Sequence, residues 1–287
     1  RVGANSIYVP ALNYKFSQAQ TAGVLDKNPR QAGYPKGCRL VMPVVDHDII
    51  GGPCEGDGAS DAKELGCAHA NGEARIGIDV WDLVHPGDEV VASSLASVQH
   101  SLDAEAIVEI GPNLPVVNVA AVDVADALGA RCVWLSPELN IHQIKEVASK
   151  GDMDFGITVF GAQELMVTEH CLLMSEAPCS QDCTNCARRK KPHTLRDRKG
   201  YEFPVVTDAL GRSHLYNSVK LDAMGALEEL IDAGVSRFMI DATLLDAEQT
   251  AQATGRLIHA LKQVRSGGGN IDKLPNTTTG HLFRGVL

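Results

Sequence analysis

The chain has 287 residues, enough for one large domain or two ordinary ones, and 44% of them are hydrophobic and 22% charged, as in ordinary soluble globular proteins. No apolar run approaches the roughly 18 residues that a membrane-spanning helix needs, so we expect no membrane protein. The formal net charge of −10 disfavours nucleic acid as a partner for the surface as a whole.

Short apolar runs alternate with amphipathic stretches along the chain. Near-continuous apolar runs are expected for parallel strands that are covered on both faces. The predicted strands are 6–10, 39–45, 89–95, 115–121, 132–136, 154–161 and 237–243, with 106–111 as a weaker eighth candidate. The predicted helices are 121–128, one that begins after the cap residue Asn140, 221–233, and one that begins at Asp246.

Repeated strand–helix–strand units predict a parallel α/β architecture. Periodicity does not decide between an open sheet and a barrel. Seven clear strands are one short of a TIM-type (β/α)8 barrel. The chain starts at Arg1 and not at Met, so we expect a fragment of a longer protein whose missing N-terminus explains the deficit.

Two segments interrupt this alternation. Residues 51–78 are rich in Gly, Ala and acidic side chains and are predicted to form a surface insertion. Residues 171–220 are predicted to leave the main fold, carrying four cysteines, a basic run and a small antiparallel hairpin over 201–217. Such an excursion after a late strand lies on the side where barrel active sites are built from strand–helix loops. We expect the whole of 1–287 to form a single barrel domain around it.

The four cysteines have the spacing C-x7-C-x3-C-x2-C and are Cys171, Cys179, Cys183 and Cys186. Four thiolates on one short segment suit a tetrahedral zinc ion or an iron–sulfur cluster. The alternative is that two or three of them are thiols packed in a loop. Clustered cysteines without a secretion signal indicate the cytoplasm. Cys132, which opens a predicted strand, is expected in the core.

A basic run follows the last of these cysteines directly. It is either a solvated loop or a contact for an anion or phosphate beside the metal site. Its members are Arg188, Arg189, Lys190, Lys191, Arg196, Arg198 and Lys199.

Five stretches carry a resemblance to a known family: ELMVTEHC at 164–171, RDRKGYEFPVVTD at 196–208, GRSHLYNS at 211–218, NVAAVDVADALGARCVWLSPELN at 118–140 and TTGHLFRGV at 278–286. Together they resemble peptidase family U32, the collagenase-like group. The resemblance implies a (β/α)8 barrel, here without its first strand. It also implies similarity to oxygen-independent hydroxylation proteins that act on tRNA or rRNA bases or on ubiquinone precursors.

Several members of that family hold a [4Fe–4S] cluster on four cysteines, so the resemblance implies this cofactor on Cys171, Cys179, Cys183 and Cys186, with zinc as the alternative. Many members carry a further cysteine just before the Arg–Ser–His segment, where this chain has Gly211. Three cysteines over 179–186 in place of two can compensate for it.

Further candidates are weaker. Glu138 follows a strand end, where a barrel places catalytic groups, or serves as a helix-start carboxylate. His214 either acts on substrate or braces the cysteine loop. Ser136 and Ser213 are expected to satisfy helix starts or turns. The candidate substrate-binding residues are Asn118, Arg188, Arg189, Arg198, Tyr216 and Asn217.

Three functions follow from these observations. The first is a cluster-dependent hydroxylation protein that acts on RNA or a small aromatic molecule. The second is a peptidase, as the family name states, although no Gly-x-Ser-x-Gly or His-Glu-x-x-His motif is present. The third is a zinc-stabilised structural or RNA-binding module without chemistry of its own.

Overall fold

The computed structural model describes residues 3–10, 39–42, 84–149, 153–179, 183, 186–208 and 211–284. The predicted insertion at 51–78 lies outside these residues. In chain order, the strands are β1 (Tyr8–Pro10), β2 (Arg39–Val41), β3 (Glu89–Ala92), β4 (Ile107–Ile110), β5 (Cys132–Trp134), β6 (Asp154–Gly161), β7 (Glu164–Thr168), β8 (His193–Arg196), β9 (Glu202–Thr207), β10 (Ser213–Tyr216), β11 (Lys220–Asp222), β12 (Arg237–Asp241) and β13 (Thr277–Thr278). The α-helices are α1 (Leu95–Asp103), α2 (Val119–Ala127), α3 (Ile141–Ala148), α4 (Leu227–Asp232) and α5 (Ala247–Arg265).

The larger sheet is mostly parallel. Strands β1 to β6 pair with one another in chain order, and β12 pairs with β6, all in parallel. At the end of β6, β11 adds an antiparallel pairing and is joined in turn by β13. The predicted mixed α/β fold with a parallel sheet is therefore confirmed, and the weaker strand at 106–111 exists as β4.

The predicted strand at 115–121 is wrong. Asn118 caps α2 by accepting a hydrogen bond from the backbone N of Ala121 at 2.9 Å, and the residues before it form a loop. The apolar residues Val116 and Val117 fit a buried strand by composition. The helix that Asn118 caps begins directly after them, so no strand can continue through this segment. Similarly, the predicted strand at 89–95 ends at Ala92, because Ser94 caps α1.

The predicted helix at 221–233 is only half right. Its first residues form β11, in which Leu221 pairs with Gly161 and Thr278. The fully buried Asp222 accepts hydrogen bonds from the backbone N atoms of Met224 and Leu274, which holds the strand in place. Only after a short 3-10 helix does α4 begin.

The caps of the other helices follow the sequence. Asn140 accepts hydrogen bonds from the backbone N atoms of His142 and Gln143, both at 3.0 Å, at the start of α3. Asp246 does the same for Gln249 at the start of α5. In the described part of the chain, no helix is both long and apolar enough to cross a membrane.

A buried carboxylate shows that the parallel sheet is curved. Glu109 on β4 is fully buried and binds Arg237 of β12 through Oε1 at 2.9 Å and the Tyr8 hydroxyl of β1 through Oε2 at 3.1 Å. Strands β1 and β12 are separated by six strand-to-strand spacings, so they would lie about 29 Å apart in a flat sheet. Side chains cannot bridge that distance, so the sheet wraps around Glu109. No pairing between β12 and β1 that would close a barrel occurs among the residues described, and the (β/α)8 barrel stays a prediction.

The charged network around Glu109 lies where the parallel strands begin. Arg39 and Arg131 reach its Oε1 at 2.9 and 2.8 Å, and the indole N of Trp134 donates to Oε2 at 2.8 Å. Together with Arg237, these donors satisfy both oxygens of the carboxylate. Because barrel chemistry is built at the opposite strand ends, this network is structural.

The excursion forms a second, antiparallel sheet in the order β7–β10–β9–β8. The predicted hairpin is confirmed as β9 and β10, which pair from Ser213–Thr207 to Leu215–Val205. Strand β7 directly follows β6, so the small sheet leaves the large one at the carboxyl end of a parallel strand. That edge is where open and closed parallel sheets place their sites.

A candidate metal centre in the excursion

The cysteine loop is fastened to the small sheet. Cys171 follows β7 and precedes a 3-10 helix at Leu172–Ser175. The backbone N of Leu172 donates a 2.9 Å hydrogen bond to Oγ of Ser213, a residue of β10 that is completely buried. This confirms the expectation that Ser213 satisfies a helix start. Oγ of Ser136 likewise accepts from the backbone N of Glu138 at 3.3 Å.

All four cysteines of the excursion line one pocket and are half-buried. Its other lining residues are Leu173, Met174, Arg188, Arg189 and Thr207. Leu173 is buried and forms an apolar floor, whereas the two arginines bring positive charge. Thiolates are the ligands of zinc and of iron–sulfur clusters, so the donor set fits either group chemically.

The spacing of these donors bears on which group they suit. A zinc ion with four thiolates at about 2.3 Å requires sulfur atoms within about 4 Å of one another. Among the described residues, no group of three or more His, Cys, Asp or Glu side chains is arranged to hold a single ion. Four thiols that line one pocket are donors that both zinc and an iron–sulfur cluster use, so the lining leaves both groups open.

The turn between β9 and β10 makes room for one of these thiols. Gly211 has a φ of +88°, and a Cβ added to it would lie 2.7 Å from Sγ of Cys183. A side chain at position 211 would therefore collide with that sulfur. Glycine also adopts this backbone conformation without the steric cost that other residues carry.

Arg189 lies between the cysteines and the small sheet. Its Nε donates to the carbonyl of Thr207 at 3.0 Å, and Nη1 donates to the carbonyl of Cys183. Burial lowers the pKa of this guanidinium, while the negative charges of Asp208, Cys183, Cys186 and Cys171 act in the opposite direction. The cation thus lies within electrostatic reach of three of the four thiols.

Arg188 holds the other side of the loop together. Nη1 donates to the carbonyls of Leu173 and Ala177, and Nη2 donates to that of Pro178, each at 2.7 Å. The carbonyl of Arg188 is in turn 2.7 Å from Nε2 of His193. Arg188 and Arg189, two of the three arginines predicted to bind substrate, are therefore engaged with the backbone of the cysteine loop, whereas Arg198 is exposed in the turn between β8 and β9.

A buried ionic network lies behind the pocket. Asp208 accepts hydrogen bonds from Nε of Arg212 at 2.7 Å and from its backbone N at 3.0 Å. His214 lies between two carboxylates, 2.6 Å from Glu164 through Nδ1 and 3.5 Å from Asp208 through Nε2. Asp208, Arg212 and His214 are all at least 97% buried. Thr207, which precedes Asp208, lines the pocket, so the network fixes the pocket wall.

The network shifts the pKa values of its members. Burial alone would lower the pKa of His214, but hydrogen bonds to Asp208 and Glu164 outweigh it and raise the pKa to about 9. Burial alone would raise the pKa of Asp208, but the hydrogen bond with His214 and the charge of Arg212 bring it below its usual value. His214 is therefore a cation at neutral pH, and both ring nitrogens are engaged with carboxylates.

The remaining candidates are divided between this region and the rest of the fold. Tyr216 is buried on β10, and Asn217 donates its backbone N to the carbonyl of Gln163 at 2.8 Å, so both brace the base of the small sheet. Glu138 is exposed in the turn after β5, and Asn118 is the α2 cap. None of these four lines the cysteine pocket.

Sequence reasoning missed several residues that shape the site: Glu164, Thr207, Asp208 and Arg212. Their side chains come together only when β7, β9 and β10 pair, and their sequence positions span almost fifty residues. The one available signal was that all four lie inside the stretches with family resemblance.

Comparisons with known proteins identify a family match that contains the cysteine pocket and the small sheet. The chain belongs to peptidase family U32, whose sequence profile matches residues 88–279 and so includes the whole excursion. It is 27% identical over 132 residues to the tRNA hydroxylation protein P2 of Bacillus subtilis, covering 44% of this chain and 41% of that protein. It is 25% identical over 164 residues to the 23S rRNA 5-hydroxycytidine C2501 synthase of Escherichia coli, covering 54% of this chain and 23% of that protein.

The chain thus spans less than half the length of either relative. No solved structure matches it significantly.

Proposed function

We propose that this chain is part of an RNA-hydroxylation protein whose excursion holds a [4Fe–4S] cluster on Cys171, Cys179, Cys183 and Cys186. The observation that carries the proposal is the convergence of all four cysteines on one pocket, inside the region that matches the family. A protein that only needed thiols in its core would bury them singly, as this chain does with Cys132.

The lining of the pocket supplies four thiols, which is the number of ligands that a [4Fe–4S] cluster takes. The resemblance to family U32 favours that cluster over a zinc ion. The Arg189 cation offsets the negative charge that four thiolates bring. When bound, such a cluster can accept electrons or bind a substrate oxygen.

RNA is the favoured substrate for two reasons. The printed functions of both relatives concern RNA, a tRNA in one protein and 23S rRNA in the other. The cysteine pocket also opens beside the most basic stretch of an otherwise acidic chain. A small aromatic molecule would need no such stretch.

His214 does not supply the general base that the peptidase alternative needs. A histidine that activates a nucleophile must be neutral and have one ring nitrogen available. His214 is charged at neutral pH and holds a carboxylate at each nitrogen. We therefore assign His214 to the support of the pocket wall, and not to proton transfer.

The test is an analysis of RNA from cells that make this chain. The host should lack its own tRNA and rRNA hydroxylation genes and should carry the unaltered chain, a variant with all four excursion cysteines replaced by serine, or Cys132→Ser as a control. We expect mass spectrometry of digested tRNA and rRNA to detect a hydroxylated nucleoside with the unaltered chain and the control only. Absence of any such nucleoside, from cells whose purified chain retains iron, would contradict RNA hydroxylation.

A further inference from the structure

The basic run after the cysteines is split by the fold into two parts with different tasks. Arg188 and Arg189 turn back onto the cysteine loop and donate to its carbonyls. The second part lies on the β8–β9 hairpin, where Arg196, Arg198 and Lys199 are exposed. Among the residues that the structure describes, no carboxylate forms an ion pair with these three cations.

We propose that the tip of this hairpin, residues 196–201, is the surface that docks RNA on the small sheet that carries the cysteine pocket. This inference rests on the proposed function, because it takes RNA as the substrate. It assigns the cations of the tip to phosphates and the ring of Tyr201 to an unpaired base.

The tip is a turn held by its own hydrogen bonds. The Asp197 carboxylate accepts hydrogen bonds from the backbone N of Lys199 at 2.8 Å and from that of Tyr201 at 2.9 Å. The backbone N of Asp197 donates to the carbonyl of Tyr201 at 3.0 Å, and Gly200 takes a φ of +88° that closes the turn. A preformed turn loses little conformational entropy on binding, which favours affinity.

The tip combines two chemical features of a single-strand binding surface. Tyr201 is 54% exposed although it is aromatic, and the neighbouring Leu195 is 48% exposed. An exposed ring that shares one turn with Arg198 and Lys199 can stack on a base while the cations contact nearby phosphates. An acidic peptide would use the cations but would gain nothing from the ring.

The charge of the whole chain makes this patch selective. The net charge of −10 repels a polyanion from most of the surface, and seven cations against one carboxylate lie between 188 and 199. Hairpin β8–β9 belongs to the same small sheet that fastens the cysteine loop, through Ser213 of β10. Thr207, at the other end of β9, lines the pocket, so RNA bound at the tip lies one strand length, roughly 20 Å, from the pocket along the same small sheet.

Binding should be measured by fluorescence anisotropy with a labelled, mixed-sequence 16-nucleotide oligoribonucleotide over a range of salt concentrations. The variants are Arg198→Glu with Lys199→Glu, Tyr201→Ala and Tyr201→Phe. The matched control, Lys262→Glu with Arg265→Glu, makes the same charge change on the exposed side of α5. Equal metal content and circular dichroism across the set show that folding is unaffected.

We expect the paired reversal on the tip to lower the slope of log affinity against log salt by about 1.4, which corresponds to two phosphate contacts on a single strand. Tyr201→Ala should weaken binding roughly tenfold, whereas Tyr201→Phe should retain it. The α5 control should lose much less RNA affinity, and its salt slope should change much less, than the paired reversal on the tip.

Unchanged binding by the tip variants, with the unaltered chain binding well, would overturn this inference and leave the proposed function standing. Displacement of the RNA by polyglutamate at equal charge concentration would also overturn it, by assigning the tip to acidic proteins. Failure of the unaltered chain both to bind RNA and to hydroxylate it would contradict the proposed function itself.

Discussion

Sγ of Cys183 occupies the space next to Gly211 that a side chain at position 211 would need. The distance from that sulfur to an added Cβ is only 2.7 Å. The absence of a cysteine at position 211 is thereby matched by the presence of one at 183. The thiol of Cys183 therefore reaches the pocket from the loop, at the place where the β9–β10 turn carries no side chain.

Replacement of Gly211 by alanine tests this relationship. We expect Gly211→Ala to lower the metal content, because the methyl group displaces Cys183. Gly87→Ala is the matched control, since Gly87 also has a positive φ, +77°, but nothing lies within 4 Å of an added Cβ. Both variants should lose about 1 to 2 kcal/mol of stability from backbone strain. Equal metal content in the two would show that Cys183 is not held against Gly211.

Arg189 should determine how well the metal group is retained. Arg189→Met removes the cation that faces three thiols, so we expect roughly tenfold weaker retention under a chelator challenge. Arg189→Lys keeps the charge but cannot donate to the carbonyls of Thr207 and Cys183 together. Its retention of the metal group should lie between that of Arg189→Met and that of the unaltered chain. Retention by Arg189→Met equal to that of the unaltered chain would refute the electrostatic role.

His214 should make stability depend on pH. Its pKa is raised from 6.5 in the unfolded chain to about 9 in the folded one. Its contribution to stability is therefore fully present below about pH 6.5 and is lost as the pH rises through 9. The free energy of unfolding, measured anaerobically in urea at pH 6 and pH 9.5, should fall by roughly 2 to 3 kcal/mol more in the unaltered chain than in His214→Gln. Parallel losses in both proteins would assign the pH dependence to other groups.

The Glu109 network should be a main source of stability for the parallel sheet. Glu109→Gln removes the counter-charge that Arg39, Arg131 and Arg237 share. Each arginine keeps a second carboxylate, Glu89 or Asp154, so the loss should be about 1 to 3 kcal/mol. Glu146→Gln, an identical change on the exposed face of α3, should cost less than about 0.5 kcal/mol. Similar urea midpoints for the two variants would show that the network does not hold the curved sheet.

The parts of the structure that sequence reasoning predicted well are local in the chain. The hairpin of β9 and β10 and the caps Asn140 and Asp246 depend on neighbouring residues. The cysteines share a pocket because only fourteen residues lie between the first and the last. By contrast, residues 115–121 have the composition of a strand but form a loop and the start of α2, because Asn118 caps that helix.

The parts that were missed depend on contacts between distant segments. Leu221 has the periodicity of a helix but pairs with Gly161 and Thr278, which lie about sixty residues away on either side. The Asp208–His214–Glu164 network forms only when β10 pairs with β7 and β9, which brings the two carboxylates to the imidazole ring of His214. Spacing along the sequence carries no information about such contacts.

The most direct test of the account is a quantification of iron, acid-labile sulfide and zinc in the full chain purified without oxygen, with its visible absorption spectrum. We predict iron and sulfide near four each per chain, as a [4Fe–4S] cluster requires, and loss of both in Cys183→Ser but not in Cys132→Ser. Cys132 is fully buried, and burial, with the nearby Glu109 charge, raises its pKa to about 12. One zinc per chain without sulfide, or equal iron loss in the two variants, would contradict the cluster on these four cysteines.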